Sequence, residues 1–237
     1  MRAPTSFVLV HGAWHGGWCY SRVVKILRDA GHHVYTPTLT GLGERSHLTA
    51  MTINCSTHIE DVLNVIHWEG LERVVLCGHS YGGVVVGGVA DRMPDRVDAL
   101  VYLDGVIPES GKSIFDLVRP EAAVALLNRS AEYGGQFLSP EPATTLGVRS
   151  ADRQIVDTLC TPQPIATFTE KVKLTGAFRT VRKKTYVLTT GWKNPARSLF
   201  YDGIKSDLSW EKHEVHCGHD VMLDEPERLA QILLEVI

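Results

Sequence analysis

Val74-Val75-Leu76-Cys77-Gly78-His79-Ser80-Tyr81-Gly82-Gly83 is an apolar run that breaks at a glycine, presents one serine and resumes as a small-residue segment. The spacing predicts a strand, a strained turn holding Ser80, and a helix. Such a turn brings backbone close on both sides of the serine, so side chains at 78 and 82 would collide and glycine is needed at each. The hydroxyl is thereby lifted into a cleft. Val84-Val85-Val86-Gly87-Gly88-Val89-Ala90 has the β-branching of a strand, yet a helix is required there if Ser80 sits on this turn. A Gly-x-Ser-x-Gly string alone is common in loops, so its meaning rests on the flanking chain.

Upstream, Phe7 to Val10 reads as a buried strand ended by His11-Gly12, and the following loop to Trp18 is rich in glycine and aromatics. Val23, Val24, Ile26, Leu27 and Ala30 recur at helical spacing until Gly31, and His33 to Pro37 resumes as a strand. After a polar loop from Thr38 to Thr49, Ser56 or Thr57 is expected to cap a helix running to Trp68. Downstream, Ala99 to Gly105 reads as a buried strand ending in Asp104, Lys184 to Thr190 as another, and His213 to His216 as the last. Ala196 to Tyr201 reads as a short helix and Pro226 to Val236 as a terminal amphipathic one. Strands alternating with helices predict an α/β fold with a doubly wound, mainly parallel sheet, whose functional groups gather at the strands' carboxyl ends. The 237 residues are read as one domain, with a core over 1–105 and 181–237 and an inserted helical cap over about 106–180.

Composition removes several classes. The net charge of −3 comes from interspersed residues of both signs, which argues against nucleic acid or an anionic membrane surface as partner. The five cysteines are odd in number and contain no Cys-x-x-Cys, so reduced thiols are expected, with no disulfide framework and no metal site. No leader pattern or membrane-length apolar run is seen, and a cytoplasmic protein is the expectation.

Ser80, Asp104 and His219 each follow a predicted strand, in that order. A serine hydroxyl is a poor nucleophile unless a base within reach takes its proton, and His219 is the candidate base. The imidazole needs a carboxylate to fix its tautomer and stabilise its protonated form, the role assigned to Asp104. Two donors for an oxyanion are expected from the backbone N–H groups of Ala13 and Tyr81. His11 and His79 flank these features and are expected to hold the loops by hydrogen bonds. Trp14, Trp18 and Trp192 are candidates for lining an apolar pocket.

The segments His11-Gly12-Ala13-Trp14-His15-Gly16-Gly17-Trp18, Gly78-His79-Ser80-Tyr81-Gly82-Gly83, Val101-Tyr102-Leu103-Asp104-Gly105 and Cys217-Gly218-His219-Asp220-Val221-Met222 resemble the α/β-hydrolase superfamily over nearly the whole chain. So does Thr40-Gly41-Leu42-Gly43-Glu44-Arg45-Ser46-His47. The branch they look like is that of small bacterial esterases, similar to the plant methylesterases and hydroxynitrile lyases. Cys160-Thr161-Pro162-Gln163-Pro164-Ile165-Ala166-Thr167-Phe168 looks like the carbendazim esterases, with pyrethroid hydrolases as more distant relatives. The resemblance implies a serine hydrolase of small uncharged esters or carbamates that works through an acyl-enzyme on Ser80, without cofactor or metal. A homodimer is left open. Most superfamily members place the acid in the loop after the strand at 184–190, but that loop reads Gly191-Trp192-Lys193-Asn194-Pro195 and has no carboxylate. Asp104 is therefore preferred, with Asp202 and Asp207 in reserve. Two other readings are carried: cyanohydrin cleavage on the same site, and a non-catalytic ligand-binding protein. The plant lyases place a lysine shortly after the loop histidine, where this chain has Asp220, Val221 and Met222.

Overall fold

The structure is a computed structural model that describes residues 3–192 and 198–237. Its strands are β1 (Ser6–Val10), β2 (His33–Tyr35), β3 (Val74–His79), β4 (Val97–Leu103), β5 (Phe137–Leu138), β6 (Gln163–Pro164), β7 (Lys183–Thr189) and β8 (Trp210–Val215). The helices of the first half are α1 (Ser21–Asp29), α2 (Cys55–Trp68), α3 (Gly82–Arg92), α4 (Ile114–Leu117) and α5 (Pro120–Ser130). Those of the second half are α6 (Arg153–Leu159), α7 (Ala166–Thr169), α8 (Ser198–Ile204), α9 (Val221–Asp224) and α10 (Pro226–Glu235). Six strands pair in the order β2-β1-β3-β4-β7-β8, every pair parallel.

Both faces of this sheet are covered, which is why its central strands read as unbroken apolar runs. Side chains alternate across a strand, so Val75, Cys77, Val101 and Leu103 pack with Leu27 of α1 and Leu229 and Leu233 of α10. Val74, Leu76, Leu100 and Tyr102 pack on the opposite face with Ile59 and Val62 of α2 and Val85 and Val89 of α3. The β-branched run after the serine is helical, as the turn requires. Gly82 through Asp91 are all buried, so packing overrides the strand preference of three consecutive valines. A Cβ on Gly88 would lie 2.4 Å from Ile59 Cδ1, so glycine lets α3 approach α2.

The structure corrects some local expectations. Asn54, not Ser56 or Thr57, caps α2: its side chain accepts from Thr57 N, while the Thr57 hydroxyl accepts from Asn54 N in return. Between β4 and β7 lie short helices and the two-stranded antiparallel pair β5–β6, which the apolar pattern did not reveal. The helix expected from Ala196 is described from Ser198 onward. Positions 193–197, including part of the loop after β7, lie outside the described residues.

Candidate active site

Among the described residues three non-glycines have a left-handed backbone, Trp14 (φ 66°), Ser80 (φ 51°) and Asp104 (φ 47°), and all three line one cavity. Backbone strain of this kind persists only where surrounding structure dictates it. At Ser80 the N–H donates to Leu103 O (3.1 Å), and its carbonyl accepts from Gly83 N and Val106 N (3.0 Å each). A Cβ on Gly78 would stand 2.4 Å from Gly82 O, and one on Gly82 would stand 2.6 Å from His11 O. The glycines are required by backbone contact, as their spacing suggested.

Asp104 follows β4, and its side chain is closed to solvent. Oδ2 lies 2.6 Å from Nδ1 of His219 and accepts from the Thr189 hydroxyl at 2.7 Å. Thr189 ends β7, the strand beside β4, and its Oγ1 in turn accepts from Trp192 Nε1 (2.9 Å). A carboxylate that can only accept fixes the His219 proton on Nδ1 and leaves Nε2 as the basic nitrogen. His219 is carried by the loop after β8, where its N–H donates to Leu146 O (2.8 Å) and Gly218 N donates to Asp224 Oδ2 (3.0 Å). The ring is packed between His79 and Trp192, with centroids at 4.5 and 4.7 Å. Asp202 and Asp207 are exposed on and after α8, and Asp207 accepts from Ser209 N.

The loop after β1 is set against the serine turn. A Cβ on Gly12 would lie 2.6 Å from His79 Nδ1 and 3.1 Å from Ser80 Cβ. His11 donates from Nδ1 to Gly12 O (2.8 Å) and accepts at Nε2 from Leu39 N (3.0 Å), a pattern that requires a neutral ring. Burial pushes its pKa down to about 3. With the Gly12 carbonyl so held, the trans peptide turns the Ala13 N–H the other way. The N–H groups of Ala13 and Tyr81, both in buried residues, have no hydrogen-bond acceptor among the described residues. Tyr81 is fixed by its hydroxyl, which donates to His58 Nδ1 (2.8 Å), and His58 Nε2 donates to Thr40 O (2.9 Å).

The cavity has a volume of about 480 Å³, and Ser80, Asp104 and His219 line it. Trp14 and Trp192 line it. Trp18 does not: its ring stacks on His15 at 5.4 Å, in the layer of α1 and α9. Trp14 is held by the stretch singled out for its resemblance. Its N–H donates to Gln163 Oε1 (2.9 Å), its carbonyl accepts from Thr161 N (2.9 Å), and its indole donates to Leu138 O (3.1 Å). Phe168 from the same stretch also lines the cavity and stacks on Tyr81. Arg129 and Glu141, 3.4 Å apart, add a charged pair to an otherwise mostly apolar wall. No spacing in the sequence joins these two. Asp220 lies outside the cavity lining and is fully buried.

A parallel sheet of this order, with a serine on a left-handed strand-to-helix turn and a histidine–aspartate pair from two later strand ends, defines an α/β hydrolase. The chain matches the model of the alpha/beta hydrolase family over residues 7–232 and belongs to that family. It is 43% identical over 242 residues to the carbendazim hydrolyzing esterase of Nocardioides sp. (strain SG-4G), aligning 96% of this chain with 98% of that one. To the pyrethroid hydrolase of Sphingobium wenxiniae it is 36% identical over 110 residues, 45% of this chain and 38% of that one. An extracellular alpha/beta-hydrolase from a Paenibacillus species has the same fold, with a TM-score of 0.84 at 24% identity over 98% of this chain and 99% of that one.

Proposed function

We propose that the protein is a serine carboxylesterase acting on small, uncharged esters or carbamates, with a carbendazim-type methyl carbamate as the specific candidate. In this reading Ser80 Oγ attacks the carbonyl carbon while His219 Nε2 takes its proton. The Ala13 and Tyr81 N–H groups stabilise the tetrahedral oxyanion. Collapse breaks the ester C–O bond, His219 protonates the departing alkoxide, and water, deprotonated by the same ring, releases the acyl group from Ser80. Asp104 holds the ring and stabilises its cation. Residues 106–180 act as a cap whose Phe168 and neighbouring apolar side chains select an uncharged substrate, with Trp14 and Trp192 opposite. Five free thiols, four of them buried, support a reducing, cytoplasmic setting.

The observation that carries this reading is the pair of buried, uncommitted N–H groups beside a strained serine in the cavity that also holds His219. The relative that aligns along almost its full length supports the substrate class. The test is a hydrolysis panel of aryl esters, methyl carbamates, pyrethroid-type esters and lactones on the wild type and on Ser80→Ala. Turnover of esters or carbamates that falls by roughly 10³-fold or more in the variant is expected. Absence of any Ser80-dependent turnover overturns the proposal.

A further inference from the structure

Behind the loop after β1 lies a charged pair that the reaction just described does not use. His15 is 2% exposed and Asp220 0%, and His15 Nε2 lies 3.0 Å from Asp220 Oδ2. The other ring nitrogen, Nδ1, lies 2.8 Å from the carbonyl oxygen of Ala13. A carbonyl and a carboxylate can only accept, so both ring nitrogens carry protons and the buried pair is an imidazolium facing a carboxylate. Burial opposes the charge on His15, and Asp220 more than offsets it, holding the imidazole well above its ordinary range. On the other side Asp220 Oδ1, buried and without a hydrogen-bond partner among the described residues, lies 3.8 Å from His79 Nε2. That His79 nitrogen donates to the carbonyl of His219 at 3.0 Å.

A buried ion pair is a poor source of stability, because desolvating two charges cancels most of their attraction. Its worth here is geometric. At one end it grips the carbonyl of Ala13, and at the other it belongs to the residue next to His219. The peptide joining Ala13 to Trp14 is thus clamped on both sides, its carbonyl by His15 and its N–H by Gln163. The preceding peptide is clamped by His11 at the Gly12 carbonyl. With both neighbours fixed, the Ala13 N–H has one direction available.

We propose that His15 is a positioning residue, the cationic half of a strut with Asp220 that locks the Ala13 donor in register with the loop bearing His219. The proposal rests on the esterase reading for the role of Ala13. It extends that reading to two residues outside the cavity wall.

The experiment compares His15→Gln, Asp220→Asn and the double variant with wild type. It measures the thermal midpoint, kcat and KM on an aryl ester, and the rate of Ser80 phosphonylation by an aryl phosphonate. Each single variant leaves one buried charge unpaired and is expected to lose stability, whereas the neutral double variant recovers much of it. Positioning predicts that kcat and the phosphonylation rate stay about 10- to 100-fold below wild type in the double variant, with KM little changed. Recovery of kcat together with the thermal midpoint, or a phosphonylation rate equal to wild type, overturns the strut. Failure of the esterase reading appears separately, as absence of Ser80-dependent turnover in the wild type.

Discussion

Asp104 and His219, 115 residues apart in the chain, meet through Oδ2 and Nδ1 at 2.6 Å. The contact depends on β4 and β7 being neighbours in the sheet: Asp104 leaves the end of β4, and Thr189 at the end of β7 donates a hydroxyl to the same oxygen. The end of β7 thus supplies a hydrogen bond to the carboxylate that the end of β4 carries. Asp104→Asn would present an amide that either donates toward Nδ1 or accepts more weakly, disturbing the tautomer that leaves Nε2 free. A loss of about 10³- to 10⁴-fold in kcat is expected, with KM nearly unchanged. Steady-state kinetics on an aryl ester check this, and activity within about tenfold of wild type would move the acid role to another residue.

Gly12→Ala places a methyl group 2.6 Å from His79 Nδ1 and 3.1 Å from Ser80 Cβ. The loop must withdraw, and the Ala13 donor goes with it. A fall of about 100-fold or more in kcat is expected, larger than any change in KM. Gly203→Ala is the control, since its Cβ meets nothing within 4 Å and it lies in α8. That change should leave kcat unaltered and stabilise by up to about 1 kcal/mol in thermal denaturation. Equal kinetic effects from the two substitutions would contradict the assigned contact.

Acid is expected to destabilise the fold through three buried neutral histidines. Burial lowers the pKa of His11 to about 3 and that of His58 to about 4, and it holds His79 well below the ordinary value. Below about pH 6.5 the unfolded chain protonates these rings while the folded protein does not, so the unfolded state binds more protons and stability falls with pH. For His58 the loss is about 2 kcal/mol at pH 5. His15 has the opposite sign: its raised pKa contributes stability that is complete below about pH 6.5 and is lost as pH rises toward its folded value. Its neighbours in this balance are Asp220, His79, His11 and the thiol of Cys160. The thermal midpoint should therefore drop between pH 7 and pH 5. His58→Gln keeps a donor for Thr40 and an acceptor for Tyr81, and it should flatten that drop. An identical slope in the variant would rule out the His58 contribution.

The order of the six strands of the main sheet and of α1, α2, α3 and α10 was legible because each of these follows from local rules. Apolar runs mark strands covered on both faces, and Gly78 and Gly82 mark a turn whose backbone contacts admit no side chain. The helix at Val84 was legible only through that turn, since its own residues favour a strand. Ser80 and His219 could be chosen because each follows a recognisable strand. The cap of α2 lies two or three residues before the expected Ser56 or Thr57, because Asn54, Ser56 and Thr57 are all competent caps and only backbone geometry distinguishes them.

Which side chain meets which was decided elsewhere. Trp14 and Trp18 share one loop and one composition, yet the left-handed backbone at Trp14, held by Gln163 149 positions away, turns the first toward the cavity while the second packs on His15. Arg129 and Glu141 enter the cavity wall, and Asp220 leaves it for His15, without any local pattern to announce either. By itself the sequence determined the alternation of the main-sheet elements, the serine turn and the place of His219 after the last strand, because periodicity and glycine spacing are written in neighbouring residues. Only the tertiary structure decided the partner of His219, the tryptophans of the cavity and the His15–Asp220 pair, because each depends on adjacency between segments that the chain keeps far apart.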